Sequence, residues 1–328
     1  MIITHFGLQT WEKTFLEEKL PDEKNIFCDQ VLTLELVNKS QELQENLAKT
    51  EILTVFIYDK VCSQILSQMP NLKLIVTRST GFDHIDLDFA KIHNIPVCNV
   101  PSYGENTIAE HAFALLLGLA RHLPELTHRS NECRFDYADL RGFDLAGKVI
   151  GIIGAGKIGL HAIKIAKGFG MKILVYDVFQ NPFLQEVLGF EYTDLDNLLA
   201  QSDIISLHAP YMPTTHHLLN EVNFGKMKKG MVIINTARGP LIDTKSLVEA
   251  LNNGTVAACG LDVVESEEDL LNCRQNPFLE NLVKRENVIF TPHSGYFTKE
   301  AQERILQTSI DNIKNFTDKK LKNLIQKI

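Results

Sequence analysis

Apolar residues in this chain fall into short runs separated by longer polar stretches. Residues 52–58, 74–77 and 97–100 are such runs and predict strands, while 60–69 and 86–93 between them predict helices. Strand–helix alternation implies a parallel sheet covered on both faces. A turn is expected at Pro101, Ser102, Tyr103 and Gly104. Residues 105–121 then predict a helix that is apolar nearly all the way round (Ile108, Ala109, Ala112, Phe113, Leu115, Leu116, Leu119), which must be buried on several sides. The alternation resumes at Lys148, with strands expected at 148–153, 172–177, 204–208, 231–235, 258–262 and 288–292. From Lys299 onward Ile305, Ile310, Ile313 and Phe316 keep a helical period.

A chain of 328 residues exceeds one comfortable core, so two domains are expected. Its 45% hydrophobic and 23% charged residues are those of a soluble globular protein. A net charge of −8 without any Lys/Arg-rich run argues against nucleic acid or an anionic membrane as partner. The six cysteines are scattered, with no Cys-x-x-Cys, and read as reduced thiols of a cytoplasmic protein. No signal peptide is evident at Met1–Thr4, and the longest uncharged apolar run, 112–120, is far short of the ~20 residues that span a bilayer.

The sharpest local signal is Gly154-Ala155-Gly156-Lys157-Ile158-Gly159, a G-x-G-x-x-G between a β-branched strand and a predicted helix at 160–169. In this context Gly154 permits the turn, Gly156 admits a pyrophosphate to the backbone, and Gly159 allows helix and strand to pack closely. The helix N-terminus offers N–H groups and a positive dipole end to phosphates. Asp177 ends the next strand, where a carboxylate accepts hydrogen bonds from ribose hydroxyls and repels a 2′-phosphate. Val178, Phe179 and Gln180 after it supply no cation, so NAD is favoured over NADP.

Three charged residues each follow an apolar strand: Arg238, Glu267 and His293. Strand C-termini converge on the ligand crevice of an open α/β sheet, so the three can meet in space. Reduction of a 2-oxo acid requires a hydride, a proton for the carbonyl oxygen and a cation for the carboxylate. Histidine suits the proton transfer, a carboxylate beside it favours the imidazolium and orients the ring, and a guanidinium binds the substrate carboxylate in a planar fork. Spacing alone does not separate Glu265 from Glu267 for the carboxylate role.

The runs Asn235-Thr236-Ala237-Arg238-Gly239-Pro240-Leu241-Ile242-Asp243, Gly260-Leu261-Asp262-Val263 and Thr291-Pro292-His293 resemble signatures of the D-isomer-specific 2-hydroxyacid dehydrogenases. Val100-Pro101-Ser102-Tyr103, Ala109-Glu110-His111 and the stretch from Tyr176 to Pro182 resemble the D-lactate dehydrogenase branch in particular. The resemblance implies catalytic Arg238, Glu267 and His293, and favours Glu267 over Glu265. It implies cofactor contacts from Gly154, Gly156, Lys157, Ile158, Gly159, Asp177, Ala209, Pro210, Thr215, Thr236, Ala237, Arg238 and Asp262. It further implies that the amides of Thr80 and Gly81 and the side chain of Arg238 hold the substrate carboxylate, with Phe56, Tyr103 and Tyr296 bounding its side chain. Residues 268–273 lack the Glu-Pro pair of many members and read as an insertion of the D-lactate branch.

The expected architecture is therefore α/β, two doubly wound parallel-sheet (Rossmann-like) domains. An NAD-binding domain at 104–295 is inserted into a substrate domain made of 1–103 and 296–328. The expected activity is reversible, NAD-dependent interconversion of a small 2-oxo acid, pyruvate first, and its D-2-hydroxy acid, by a homodimer. A dehydrogenase for a bulkier D-2-hydroxy acid and an NAD-sensing dimeric scaffold with little turnover are the alternatives. No metal is expected, because His208, His216 and His217 have no nearby carboxylate or cysteine in sequence and read as loop and cofactor-edge residues. Glu110 and His111 read as a hydrogen-bonded pair fixing a helix start.

Overall fold

The computed structural model describes residues 1–271 and 276–325. The chain divides into two compact units, Met1–Gly104 with Lys299–Ile328 and Glu105–Thr298. Each is a parallel α/β sheet. The smaller carries β1 (Ile2–Phe6), β2 (Lys24–Cys28), β3 (Ile52–Val55), β4 (Leu74–Thr77) and β5 (Val97–Cys98), in the order β2-β1-β3-β4-β5. The larger carries β6 (Val149–Ile153), β7 (Lys172–Tyr176), β8 (Glu191–Tyr192), β9 (Ile204–Leu207), β10 (Met231–Asn235), β11 (Val256–Leu261) and β12 (Val288–Phe290). Their order is β12-β11-β10-β9-β6-β7-β8. The return to the smaller unit falls after Thr298, so Tyr296 belongs with the larger one. The cause is local: Ser294 and Gly295 donate their amides to Asp262 and keep this segment on the larger sheet.

Both sheets are covered on two faces, as their uninterrupted apolar strands require. In the smaller unit Leu53, Val55 and Ile75 pack beneath the Gln41–Lys49 and Ser63–Leu66 helices through Leu43, Leu47, Ile65 and Leu66. On the opposite face Ile3, Ile52, Leu74 and Val76 meet Leu306, Ile310 and Ile313 of the Lys299–Thr317 helix. In the larger unit the Glu105–Ala120 helix lies in one core with the Lys157–Gly168 helix and the inner residues Ile150, Ile152 and Ile234. Gly260 makes room for it, since a Cβ there would come 2.8 Å from Leu115. The all-round apolar character of this helix is thus used up within its own unit. It does not by itself call for a second chain.

Several predicted boundaries shift. The run at 52–58 leaves the sheet after Val55, because the Asp59 carboxylate accepts the Phe56 amide at 2.6 Å and turns the chain. The helix expected over 60–69 is confined to Ser63–Leu66, with Val61 bridging to Ile85 instead. The insertion expected at 268–273 lies partly outside the described residues, Cys273 included. Cys28, Cys62, Cys98, Cys133 and Cys259 are unpaired thiols. Among the described residues no helix is long and apolar enough to cross a membrane.

Candidate active site

In the larger sheet the strand order reverses between β6 and β9, and such a switch point opens a crevice at the strand C-termini. The glycine turn follows β6 at this point. Gly154 has φ +95, and a Cβ there would come 2.7 Å from the Ala209 nitrogen, so the turn presses against the segment following β9. At Gly159 a Cβ would stand 2.0 Å from the Gly154 carbonyl, which only glycine tolerates. Gly156 differs: nothing lies within 4 Å of an added Cβ, and no side chain caps the Lys157–Gly168 helix that it begins. Open space beside an uncapped helix N-terminus suits an anion. Asp177 lies against this turn, accepting the Ala155 amide at 2.6 Å and the Phe179 amide at 2.8 Å. Lys157 is exposed and 3.4 Å from Glu105.

Three adjacent strands, β10, β11 and β12, deliver the charged residues at their C-terminal ends. Asn235 closes β10 and ties down the following loop, accepting the Ala237 amide at 3.0 Å and donating to the Arg238 carbonyl at 2.9 Å. Half-buried Arg238 donates to the Ala237 carbonyl at 2.8 Å. After β12, His293 adopts φ +49, with its amide donating to the Asp262 and Thr291 carbonyls, both at 2.9 Å. Its Nδ1 lies 2.7 Å from Glu267 Oε1. That contact leaves Nε2 as the nitrogen on the other side of the ring.

Glu265 is engaged elsewhere. It contacts His217 Nε2 at 2.6 Å and accepts the amide and hydroxyl of Thr244 at 2.9 and 2.7 Å. Ser266, between the two acids, has φ +53 and turns the chain so that they serve different partners. Burial tends to raise the Glu265 carboxyl's pKa, but the His217 and Thr244 hydrogen bonds prevail and hold it below the usual value. The expectation that no carboxylate stands near the histidines needs correction, since the fold brings Asp243 and Glu265 to His217. Each of the three has a partner within the protein: Asp243 accepts from the Lys245 amide and the Ser246 hydroxyl, and His217 and Glu265 bond to each other at 2.6 Å.

Asp262, at the end of β11, is 2% exposed and accepts from the Thr291 hydroxyl and from the Ser294 and Gly295 amides. Burial opposes its charge, yet these donors and His111 hold its pKa below the ordinary range. His111 does not pair with Glu110, which takes a hydrogen bond from Asn106 instead. Its Nε2 reaches Thr291 Oγ1 at 2.9 Å and Asp262 Oδ1 at 3.2 Å, bracing the loop that carries His293. Sequence reading missed this function of His111, as it missed Asn235 and Thr291. The isolated polar positions in apolar surroundings were the available signal.

The remaining expected residues lie on the same edges of their own units. Thr215 holds the 210–215 turn, its hydroxyl accepting the Met212 amide at 2.8 Å and bonding the Pro210 carbonyl at 2.9 Å. Thr236 is nearly buried, and its hydroxyl has no hydrogen-bond partner among the described residues. His208 Nδ1 is likewise buried and unpartnered, and desolvation lowers the ring's pKa to about 4. In the smaller unit Phe56 follows β3, and Thr80 and Gly81 follow β4. The Thr80 hydroxyl donates to the Val100 carbonyl at 2.8 Å, and the Ser79 hydroxyl donates to the Gly81 carbonyl at 2.5 Å. Tyr103 accepts from Arg304 through its carbonyl, and the Tyr296 ring meets Phe297 edge-on.

Residues 113–295 match the family profile of the D-isomer specific 2-hydroxyacid dehydrogenase NAD-binding domain. The chain is 39% identical to a D-lactate dehydrogenase of Escherichia coli strain K12, over 83% of this chain and 86% of that one. It is 37% identical to a hydroxypyruvate reductase of Blautia hydrogenotrophica, over 80% and 81%. Among solved structures, a D-lactate dehydrogenase from Aquifex aeolicus in complex with NAD and lactic acid superposes with a TM-score of 0.90 at 37% identity, covering 98% of each chain. The chain belongs to the D-isomer specific 2-hydroxyacid dehydrogenases.

As a member of this family the protein is an NAD-dependent oxidoreductase of D-2-hydroxy acids, with its NAD-binding domain at 113–295. The site's own features fit that cofactor: the open space at Gly156, the uncapped helix N-terminus, Asp177 at the turn, and a buried Thr236 hydroxyl awaiting a partner.

Proposed function

We propose that this dehydrogenase interconverts pyruvate and D-lactate, with Arg238, Glu267 and His293 as its catalytic residues. The observation that carries the reading is the 2.7 Å contact between His293 Nδ1 and Glu267, beside the strand that delivers Arg238. Glu267 fixes the ring through Nδ1, which leaves Nε2 to hand a proton to the substrate carbonyl oxygen. Arg238 binds the substrate carboxylate and polarises the carbonyl, with the Thr80 and Gly81 amides on the same carboxylate. Phe56, Tyr103 and Tyr296 bound the side chain. Bound NADH supplies the hydride, so that pyruvate, NADH and one proton give D-lactate and NAD⁺. The cofactor is held through Gly154, Gly156, Lys157, Ile158, Gly159 and Asp177 at its adenosine and pyrophosphate half, and through Ala209, Pro210, Thr215, Thr236, Ala237, Arg238 and Asp262 toward the nicotinamide. In the reverse direction neutral His293 takes the hydroxyl proton.

Similarity to the D-lactate dehydrogenases of Escherichia coli and Aquifex aeolicus supports pyruvate as substrate. The hydroxypyruvate reductase at nearly the same identity makes a substrate series the deciding experiment. With NADH as reductant, kcat/KM is expected to be highest for pyruvate among glyoxylate, pyruvate, hydroxypyruvate, 4-methyl-2-oxopentanoate and phenylpyruvate. A higher value for any of the others overturns the substrate assignment, and no turnover on any of them favours an NAD-sensing scaffold. The enzyme is further proposed to be a cytoplasmic homodimer, joined through the exposed Phe135 and Tyr137 of the segment that follows the Leu123–Asn131 helix. Fractionation of native cells tests the compartment, and recovery outside the cytoplasmic fraction overturns it.

A further inference from the structure

The smaller sheet has its own switch point. Its order β2-β1-β3-β4-β5 reverses between β1 and β3, so its crevice lies at the C-terminal ends of those strands. At that place the chain buries an arginine that the proposed chemistry does not use. Arg78, just after β4, is 2% exposed. Its guanidinium joins three strand ends: Nη1 donates to Thr54 Oγ1 of β3 at 3.0 Å, and Nη2 donates to the carbonyls of Phe6, the last residue of β1, and Gly7, the next, at 2.6 and 3.0 Å. The same guanidinium lies over the Phe56 ring, 5.8 Å from its centre.

Asp59 completes the arrangement. It is 1% exposed, and its two oxygens accept the Phe56 amide at 2.6 Å and the Leu32 amide at 2.7 Å. Both charged groups surround Gly7, whose φ is +60: a Cβ there would stand 3.7 Å from Asp59 Oδ2 and 3.9 Å from Arg78 Nη2. Taking two such ions out of water costs several kcal/mol each before their partners compensate, and apolar residues of similar volume often serve stability as well. Geometry is the gain that an apolar core would not give. A planar fork spans a hydroxyl and two carbonyls at once, which a lysine's single ammonium does not reproduce.

We propose that Arg78 and Asp59 are positioning residues that set substrate selectivity, by fixing Phe56 relative to the Thr80–Gly81 amides. Arg78 opens the loop carrying Thr80 and Gly81, and its fork and ring contact tie that loop to Phe56. Asp59 holds the Phe56 backbone from the other side. The pair thereby sets the distance between the group that would grip the carboxylate and the wall that would face the substrate's side chain. The inference rests on the proposed roles of Phe56, Thr80 and Gly81.

The test compares Arg78→Lys, Asp59→Asn and Phe56→Ala with the wild-type enzyme, using NADH with pyruvate and with 4-methyl-2-oxopentanoate. The ratio of the two kcat/KM values is independent of how much protein is active, so instability alone does not move it. Arg78→Lys is expected to lower kcat/KM for pyruvate about tenfold or more, mainly through KM, because small misplacements of positioning groups are costly. The substrate ratio should move at least about fivefold toward that of Phe56→Ala, the scale on which apolar pockets discriminate. NADH affinity, read by fluorescence, should stay within about twofold. Asp59→Asn carries the same expectation where the Arg78 variant fails to fold. A shifted ratio in Phe56→Ala with wild-type ratios in both brace variants overturns the inference alone. An unshifted ratio in Phe56→Ala overturns the reading of Phe56, and the inference with it.

Discussion

His293 occupies a left-handed backbone conformation, φ +49, which costs a non-glycine residue about 1–2 kcal/mol. Its amide bonds to Asp262 and Thr291, together with the Glu267 contact, hold it there. Since the ring's orientation depends on this arrangement, His293→Gln keeps size and polarity while removing the proposed proton donor. It is expected to lower kcat for pyruvate reduction by about 10²–10⁴ with NADH affinity unchanged. Wild-type kcat in stopped-flow and steady-state assays of that variant would remove His293 from the mechanism. Arg238, Glu267 and His293 could all be found in the sequence because each follows an apolar strand. Which acid serves the histidine was open on spacing, because Glu265 and Glu267 differ only through the turn at Ser266. His111 was misread for a different reason: its partner Thr291 lies 180 residues away, and no local pattern reports so distant a contact.

At the level of elements, the long apolar runs announced the central strands, while β1 and β2 passed unnamed. Their apolar pattern is interrupted by Thr4, His5 and Asn25, polar groups that the fold pairs internally: Thr4 with Thr50, and His5 with Thr54 and Asn25. Burial lowers the His5 pKa to about 3, so this ring is neutral in the folded sheet. The Glu105–Ala120 helix was correctly read as buried, but its partners are the Lys157–Gly168 helix and β10, β11 and β12 of its own unit. The next helix, Leu123–Asn131, buries none of its residues, and the arm beyond it leaves Phe135 78% and Tyr137 72% exposed. Large apolar side chains gathered on one exposed segment mark an association surface. Replacing both with Asp is therefore expected to turn a dimer into a monomer in sedimentation velocity, without loss of far-UV ellipticity. A wild-type monomer, or a dimer that survives the double substitution, would contradict the proposed interface.

For the whole molecule, two parallel sheets of different size each reverse their strand order once, and each reversal coincides with residues singled out from the sequence. The glycine turn lies at the β6/β9 reversal, and Phe56 follows β3 at the other. What no periodicity conveys is substrate size, because the spacing of apolar positions reports burial and not the volume left open for a ligand. The handedness of the product also came only from the family resemblance. The most direct test is therefore to incubate the intact enzyme with NADH and pyruvate and analyse the lactate on a chiral column. D-lactate formed one for one with NADH oxidised is the expected result. L-lactate, a racemate, or NADH oxidation without lactate would contradict the account.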